Sequence, residues 1–262
     1  LYASEQLLKI YARGPSVSLP SFFRAVSHLG LEQLTLAQFS RQVLPFRAET
    51  LPQNNVVFIL DESVRYDHLS LNGYGRPTTP FLEQLQADGV LQNWGLAVSG
   101  ATCSLHSGAM LFTGVDELPD KTYALRRWPS IFQYAKAMNY TVHYFDGEAD
   151  KLRFPFGADD LIYIDHAVFK SDLGFDHNTD LRIADQVATL LAGSTGNFVV
   201  VLKRGAHFPY SATFPNEQAI WTPILAPDVI ISDDSERRIN AYDNAIRHNI
   251  NNFFERLLVE PA

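Results

Sequence analysis

Three short stretches hold the side chains best suited to polar chemistry. The first is Asp61-Glu62-Ser63, directly after the apolar run NVVFIL at residues 55–60. Paired carboxylates there offer hard oxygen donors, and carboxylate oxygens are acceptable zinc ligands. A solvated loop leading into the next helix is the competing reading, since acids commonly stand at helix starts. The second stretch is SGATCSLHSG at residues 99–108, rich in hydroxyls and small residues and followed by a helical pattern. A hydroxyl at a helix start sits at the positive end of the dipole, where free N–H groups bind phosphate. Metal coordination there lowers the hydroxyl pKa and makes it a nucleophile at neutral pH. An ordinary N-cap serine competes with that reading. The third stretch is KRGAHFPY at residues 203–210, after the second apolar run NFVVVL. A histidine and two cations beyond a buried strand suit a phosphoryl oxyanion, with a loop histidine of no role as the alternative.

The elements around these stretches define how they are held. The runs 55–60 and 197–202 are short, continuous and β-branched in part, and so predict strands buried on both faces of a parallel sheet. Pro80 follows Thr79 as the first residue of a helix carrying Leu82 and Leu85 on one side. Residues 104–113, 130–138 and 180–191 predict helices, residues 141–145 and 161–164 strands, and residues 235–258 one long closing helix. Strands alternating with helices imply an α/β fold with a mostly parallel sheet and helices on both faces. In such sheets ligands bind beyond the carboxyl ends of the strands, where the first and third stretches fall. Residues 1–50 carry no strand-type run; residues 5–11 and 31–43 have helical spacing and read as an N-terminal helical linker, with residues 51–262 as the main domain. The linker faces pack on the main domain or lie on a membrane surface.

Composition narrows the class. The 262 residues are 46% hydrophobic and 19% charged, which is globular rather than disordered. Net charge is -8 and no long basic run occurs, which disfavours a nucleic-acid partner. The single cysteine, Cys103, excludes an internal disulfide and reads as a small packed residue. No stretch of membrane-spanning length is present.

The segment NVVFILDESVRYDHLSLNGY at residues 55–74, with Arg76, Thr78, Thr79 and Pro80, resembles the opening motif of phosphoethanolamine transferases. These belong to the alkaline phosphatase superfamily with sulfatases and phosphoglycerol transferases. The resemblance implies that Glu62 binds the catalytic metal, with Asp61 in place of a glycine as a second ligand. Ser104 falls on the nucleophile in both the transferase and the sulfatase alignment, and as a metal ligand too; Thr102, two residues earlier, is the second candidate. Cys103 is out of register for a sulfatase-type modified cysteine. Gly205, His207, Pro209 and Tyr210 resemble a family segment whose histidine contacts substrate phosphate or a second zinc, although Leu202 stands where a further histidine is common. Lys203 and His106 complete the candidate substrate contacts, His106 facing either the site or solvent. The expected cofactor is zinc, one or two ions. The expected partners are a phospholipid donor and a lipid or glycan acceptor.

The resemblance further implies a domain on the periplasmic or extracellular side of a bacterial inner membrane, tethered through a segment outside this chain. It also implies an Asp-His-Gly metal segment after the closing helix, so the chain is expected to be an incomplete and inactive catalytic domain. A hydrolase or phosphoglycerol transferase of the same superfamily is the rival enzyme reading. A non-catalytic binding module is the rival from another class.

Overall fold

A computed structural model describes residues 41–117, 122–153, 155–229 and 233–259. The expected linker helix at 5–11 lies outside the described residues, and so does that at 31–43 except for residues 41–43, which are not helical. Arg41 instead carries a buried ion pair, its Nε lying 2.8 Å from Asp160 Oδ1.

The sheet has strands β1 (Val56–Leu60), β2 (Thr141–Asp146), β3 (His166–Val168) and β4 (Asn197–Leu202), all parallel, in the spatial order β1-β4-β2-β3. The fully apolar run of β4 is explained by its central place: Val199, Val200 and Val201 are completely buried. β1 differs from expectation, because it pairs only with β4, and its residues are half-buried or, at Val56, exposed.

The helices used below are α1 (Pro80–Ala87), α2 (Ser104–Thr113), α3 (Ile131–Ala137), α4 (Thr179–Gly193), α5 (Ser235–Ile246) and α6 (Asn252–Leu258). Side-chain alternation along the strands divides the core into two layers. Val199, Val201 and Phe145 pack with Ile183, Ala184 and Val187 of α4 and Phe253 and Leu257 of α6. Val200, Leu202, Val142 and Tyr144 pack on the other face with Phe112 of α2 and Phe132 and Ala135 of α3. Helices therefore cover both faces of the sheet, as expected. A third cluster joins Leu82 of α1, Ala206 and Phe214 to Tyr242, Ala245 and Ile246 of α5.

Two expectations are corrected. Residues 158–163 form a 3-10 helix, and the strand follows it at His166–Val168. The apolar run there is exposed, with Leu161 and Ile162 at 48% and 74%. The turn is fixed instead by Asp160, which accepts the Gly157 N–H at 2.9 Å and takes Arg41 as its ion partner. The closing helix is not uniform: a π-helical turn, Arg247–Asn251, separates α5 from α6. Such turns insert a residue and re-aim backbone groups, and here the Asn249 carbonyl accepts a hydrogen bond from Lys203 Nζ at 2.6 Å.

Candidate functional site

The parallel register brings three strand ends level: Leu60 of β1 pairs with Leu202 of β4, which pairs with Asp146 of β2. The residues just past those ends share one edge of the sheet, and the candidate site lies there. Ser104 is the first residue of α2, and no side chain caps that N-terminus. Its hydroxyl is exposed and donates to Glu62 Oε1 at 2.6 Å. Ser63 Oγ donates to the same oxygen at 3.1 Å. Ser63 itself has φ 59, a left-handed conformation uncommon for a residue with a Cβ. Tyr242 of α5 holds this turn: its hydroxyl donates to the Ser63 carbonyl at 2.8 Å and accepts the Arg65 N–H at 2.7 Å. Burial pushes the Tyr242 phenol upward, which keeps it a neutral donor.

The histidine loop is locked against this turn. The Ala206 N–H donates to the Glu62 carbonyl at 3.1 Å. Gly205 has φ +58, and a Cβ there would come within 2.6 Å of the Glu62 carbonyl oxygen, so only glycine permits the approach. Asp180, near the start of α4, accepts the Arg204 N–H at 2.9 Å and the Gly205 N–H at 2.8 Å. Its carboxyl is buried and raised above the ordinary range by desolvation. His207 then emerges exposed, with Nδ1 2.6 Å from the Phe208 carbonyl. That contact assigns the proton to Nδ1 and leaves Nε2 free to accept.

The remaining candidates divide. Thr102 is exposed beside α2, and His106 is half-buried within it. Lys203 does not reach the cleft. Its side chain is fully buried, with Nζ 2.5 Å from Asp61 Oδ1 and 3.8 Å from the Phe253 ring centroid. Asp61 is correspondingly committed to Lys203. Cys103, expected to be packed, is instead exposed, because it stands outside the helix as the N-cap of α2.

One functional-site group was missed. Glu148, two residues past β2, has Oε1 3.9 Å from His207 Nδ1 and Oε2 3.1 Å from Arg153 Nη1. Burial raises its carboxyl, and the charge of Glu62 adds to the rise. A signal existed: Asp146-Gly-Glu148 after β2 is an acid pair at a strand end, like Asp61-Glu62 after β1.

Glu62 and Ser104 bring two hard oxygens together and suit a zinc ion as two of its ligands. Among the described residues no three His, Cys, Asp or Glu side chains gather in a metal-binding arrangement.

A parallel α/β sheet with helices on both faces is the architecture of a sulfatase-like fold. The sulfatase family profile matches residues 54–259, and the chain belongs to that family. It is 26% identical over 219 residues to the Kdo(2)-lipid A phosphoethanolamine 7''-transferase of Salmonella typhimurium, covering 79% of this chain and 37% of that protein. It is 26% identical over 202 residues to the phosphatidylethanolamine transferase Mcr-1 of Escherichia coli, covering 73% of this chain and 36% of that protein. The chain thus spans little more than a third of the length of these relatives. Among solved structures, the C-terminal periplasmic domain of EptC from Escherichia coli, in complex with zinc, superposes with a TM-score of 0.65 at 19% identity. That match covers 84% of this chain and 62% of that one. The integral membrane lipooligosaccharide phosphoethanolamine transferase A of Neisseria meningitidis gives a TM-score of 0.66 at 16% identity, covering 98% and 49% respectively. At these identities the structural likeness establishes the fold alone, an alkaline-phosphatase-like one. Among the described residues no helix is long and apolar enough to cross a membrane.

Proposed function

We propose that this chain carries the nucleophile of a zinc-dependent transferase that moves phosphoethanolamine from a phospholipid to a lipid A or glycan acceptor, on the periplasmic face of a bacterial inner membrane. The observation that carries this reading is the 2.6 Å contact between Ser104 Oγ, at the open N-terminus of α2, and Glu62 Oε1. A lone N-cap serine has no such partner supplied from another element. The two curated relatives named above, both phosphoethanolamine-type transferases, support the substrate class.

In this reading Ser104 Oγ attacks the donor phosphorus. The lipid oxygen leaves, and a phosphoserine diester forms. The acceptor hydroxyl then displaces Ser104 in a second step, restoring it. Glu62 accepts the Ser104 proton or, with zinc bound, orients the hydroxyl beside the ion. Zinc bound by Glu62 and Ser104 would supply Lewis-acid polarisation and lower the hydroxyl pKa. The N-terminal amides of α2 face the phosphoryl oxygens. His207, once protonated at Nε2, donates from that nitrogen to a phosphoryl or leaving oxygen. Lys203 and Asp61 act indirectly, fixing the β1 and β4 ends to each other. Thr102 and His106 line the approach to Ser104.

The test is headgroup transfer from labelled phosphatidylethanolamine by the intact protein and by its Ser104→Ala and Thr102→Ala forms. Transfer is expected to vanish only with Ser104→Ala. Loss confined to Thr102→Ala contradicts the nucleophile. Release of free headgroup without transfer favours a hydrolase, and neither zinc binding nor turnover favours a binding module.

A further inference from the structure

Among the described residues, Glu148 is a partly exposed acidic group past the sheet edge for which the transfer reading has no task. Its place is strongly determined. The buried carboxylate of Asp146 accepts the Glu148 backbone N–H at 2.9 Å through Oδ1. Arg153 grips Asp146 with two prongs, Nε to Oδ2 and Nη2 to Oδ1, both 2.7 Å. Its third nitrogen, Nη1, reaches Glu148 Oε2 at 3.1 Å. One carboxylate oxygen is thereby pinned, and the other, Oε1, is directed toward His207.

Among the contacts of the described residues, Glu148 shares its cation with a second carboxylate. Arg153 is divided between two carboxylates, and its paired contacts go to Asp146. Arg204 feels the charges of Glu148, Asp180 and Asp176 together, while its guanidinium lies over the Phe175 ring at 4.6 Å and donates to the Ala212 carbonyl at 3.2 Å, with no hydrogen bond to Glu148. His207 Nδ1 faces the Phe208 carbonyl at 2.6 Å and stands 3.9 Å from Glu148. Glu148 also feels the like charge of Glu62, which contacts Ser104. The side chain is only 19% exposed, so water screens this repulsion weakly. A cationic ligand group is what this oxygen lacks. An ammonium offers a full charge and three donors, and in phosphoethanolamine it lies two carbons from the phosphate ester oxygen; Glu62, which Ser104 contacts, is near enough for its charge to act on Glu148.

We propose that Glu148 is a specificity-determining residue that binds the ammonium group of the donor headgroup and selects ethanolamine-type donors over neutral glycerol-type ones. The inference rests on the transfer reading above and adds the group that recognises the headgroup. Arg153 is its positioning residue.

The experiment measures kcat/KM for headgroup release from phosphatidylethanolamine and from phosphatidylglycerol, using the intact protein and its Glu148→Gln form, with zinc content determined for both. The wild type is expected to prefer the ethanolamine donor. Glu148→Gln is expected to shrink the ratio of the two values about tenfold or more, as removal of one member of a desolvated charge pair does, with zinc content unchanged. A second arm needs no variant: the wild type should use N-acetylated phosphatidylethanolamine, which lacks the charge, about tenfold or more poorly than the parent lipid. An unchanged ratio in Glu148→Gln, loss of zinc from that variant, or equal use of the acetylated donor overturns the inference while leaving the transfer reading standing. A wild type that prefers phosphatidylglycerol overturns the donor assignment itself and this inference with it.

Discussion

Two polar clusters lie within the same loop system after β1, and they are built on opposite terms. The one around Asp243 is closed. Asp243 is fully buried and meets His68 Nδ1 at 2.7 Å, the Tyr74 hydroxyl at 2.8 Å and Arg76 Nη1 at 2.7 Å. Arg76 also bonds Asn240 and stacks on Trp221. Beside this carboxylate the Tyr74 phenol is pushed up to about 12, burial being the first cause, so it stays a donor at any ordinary pH. The cluster around Glu62 is open: Ser104 and His207 are exposed, and burial raises the Glu148 carboxyl despite Arg153 and His207. The contrast teaches that acid, histidine and arginine in one loop do not by themselves mark chemistry. His68 and Asp67 follow Glu62 closely in sequence, yet His68 turns to Asp243 and Asp67 to Arg65.

The comparison is broken most sharply by one substitution in each cluster. Asp243→Ala leaves buried partners unpaired and should cost about 3–5 kcal/mol of folding stability, read by urea unfolding. Ser104→Ala should leave stability within about 0.5 kcal/mol and lower transfer about 1000-fold or more. Similar stability losses in both variants would erase the distinction. Lys203→Met should cost about 2–3 kcal/mol, since it strands Asp61 and the Asn249 carbonyl. Adding Asp61→Asn should recover most of that loss; an additive double variant would mean the pair is not the reason.

Asp180→Asn is the next smaller effect, about 1–3 kcal/mol, because one of two backbone N–H groups then faces an amide NH2. It also carries a pH signature. Burial raises the Asp180 carboxyl above its ordinary 3.8, so the folded state holds its proton more tightly than the unfolded chain. This group's contribution is therefore fully present below 3.8 and is lost as pH rises toward the folded value. Stability curves across the mildly acidic range should fall less steeply in Asp180→Asn than in the wild type. The smallest effect is expected at Ser63, where φ is 59. Ser63→Gly should stabilise by about 0.5 kcal/mol, the left-handed cost for a residue with a Cβ less the extra entropy of glycine in the unfolded chain. A lower melting temperature in this variant would show that the Ser63 hydroxyl outweighs the backbone term.

Much of the frame was legible in the sequence because local pattern and burial agree there. α2 begins and ends where its small-residue start and Gly114 place it, and β4 coincides with NFVVVL. The strand expected at 161–164 failed because a buried partner 119 positions away, Arg41, decides the conformation around Asp160. Lys203 is expected at the cleft because cations past a buried strand suit a phosphoryl oxyanion; here the π turn after α5 turns the Asn249 carbonyl inward to receive it. For Glu148 the acid pair at the end of β2 was a signal, but not of its partners. Nothing in spacing joins residues 62, 148 and 207; the parallel register of β1, β4 and β2 does, and register is a property of the folded sheet.

The central claim is that Ser104 becomes covalently loaded. The direct measurement is peptide mass spectrometry of the intact protein after brief incubation with phosphatidylethanolamine and no acceptor. The account predicts a phosphoethanolamine adduct on Ser104, discharged when an acceptor lipid is added. An adduct on Thr102, or turnover with no adduct on residues 99–108, would contradict it.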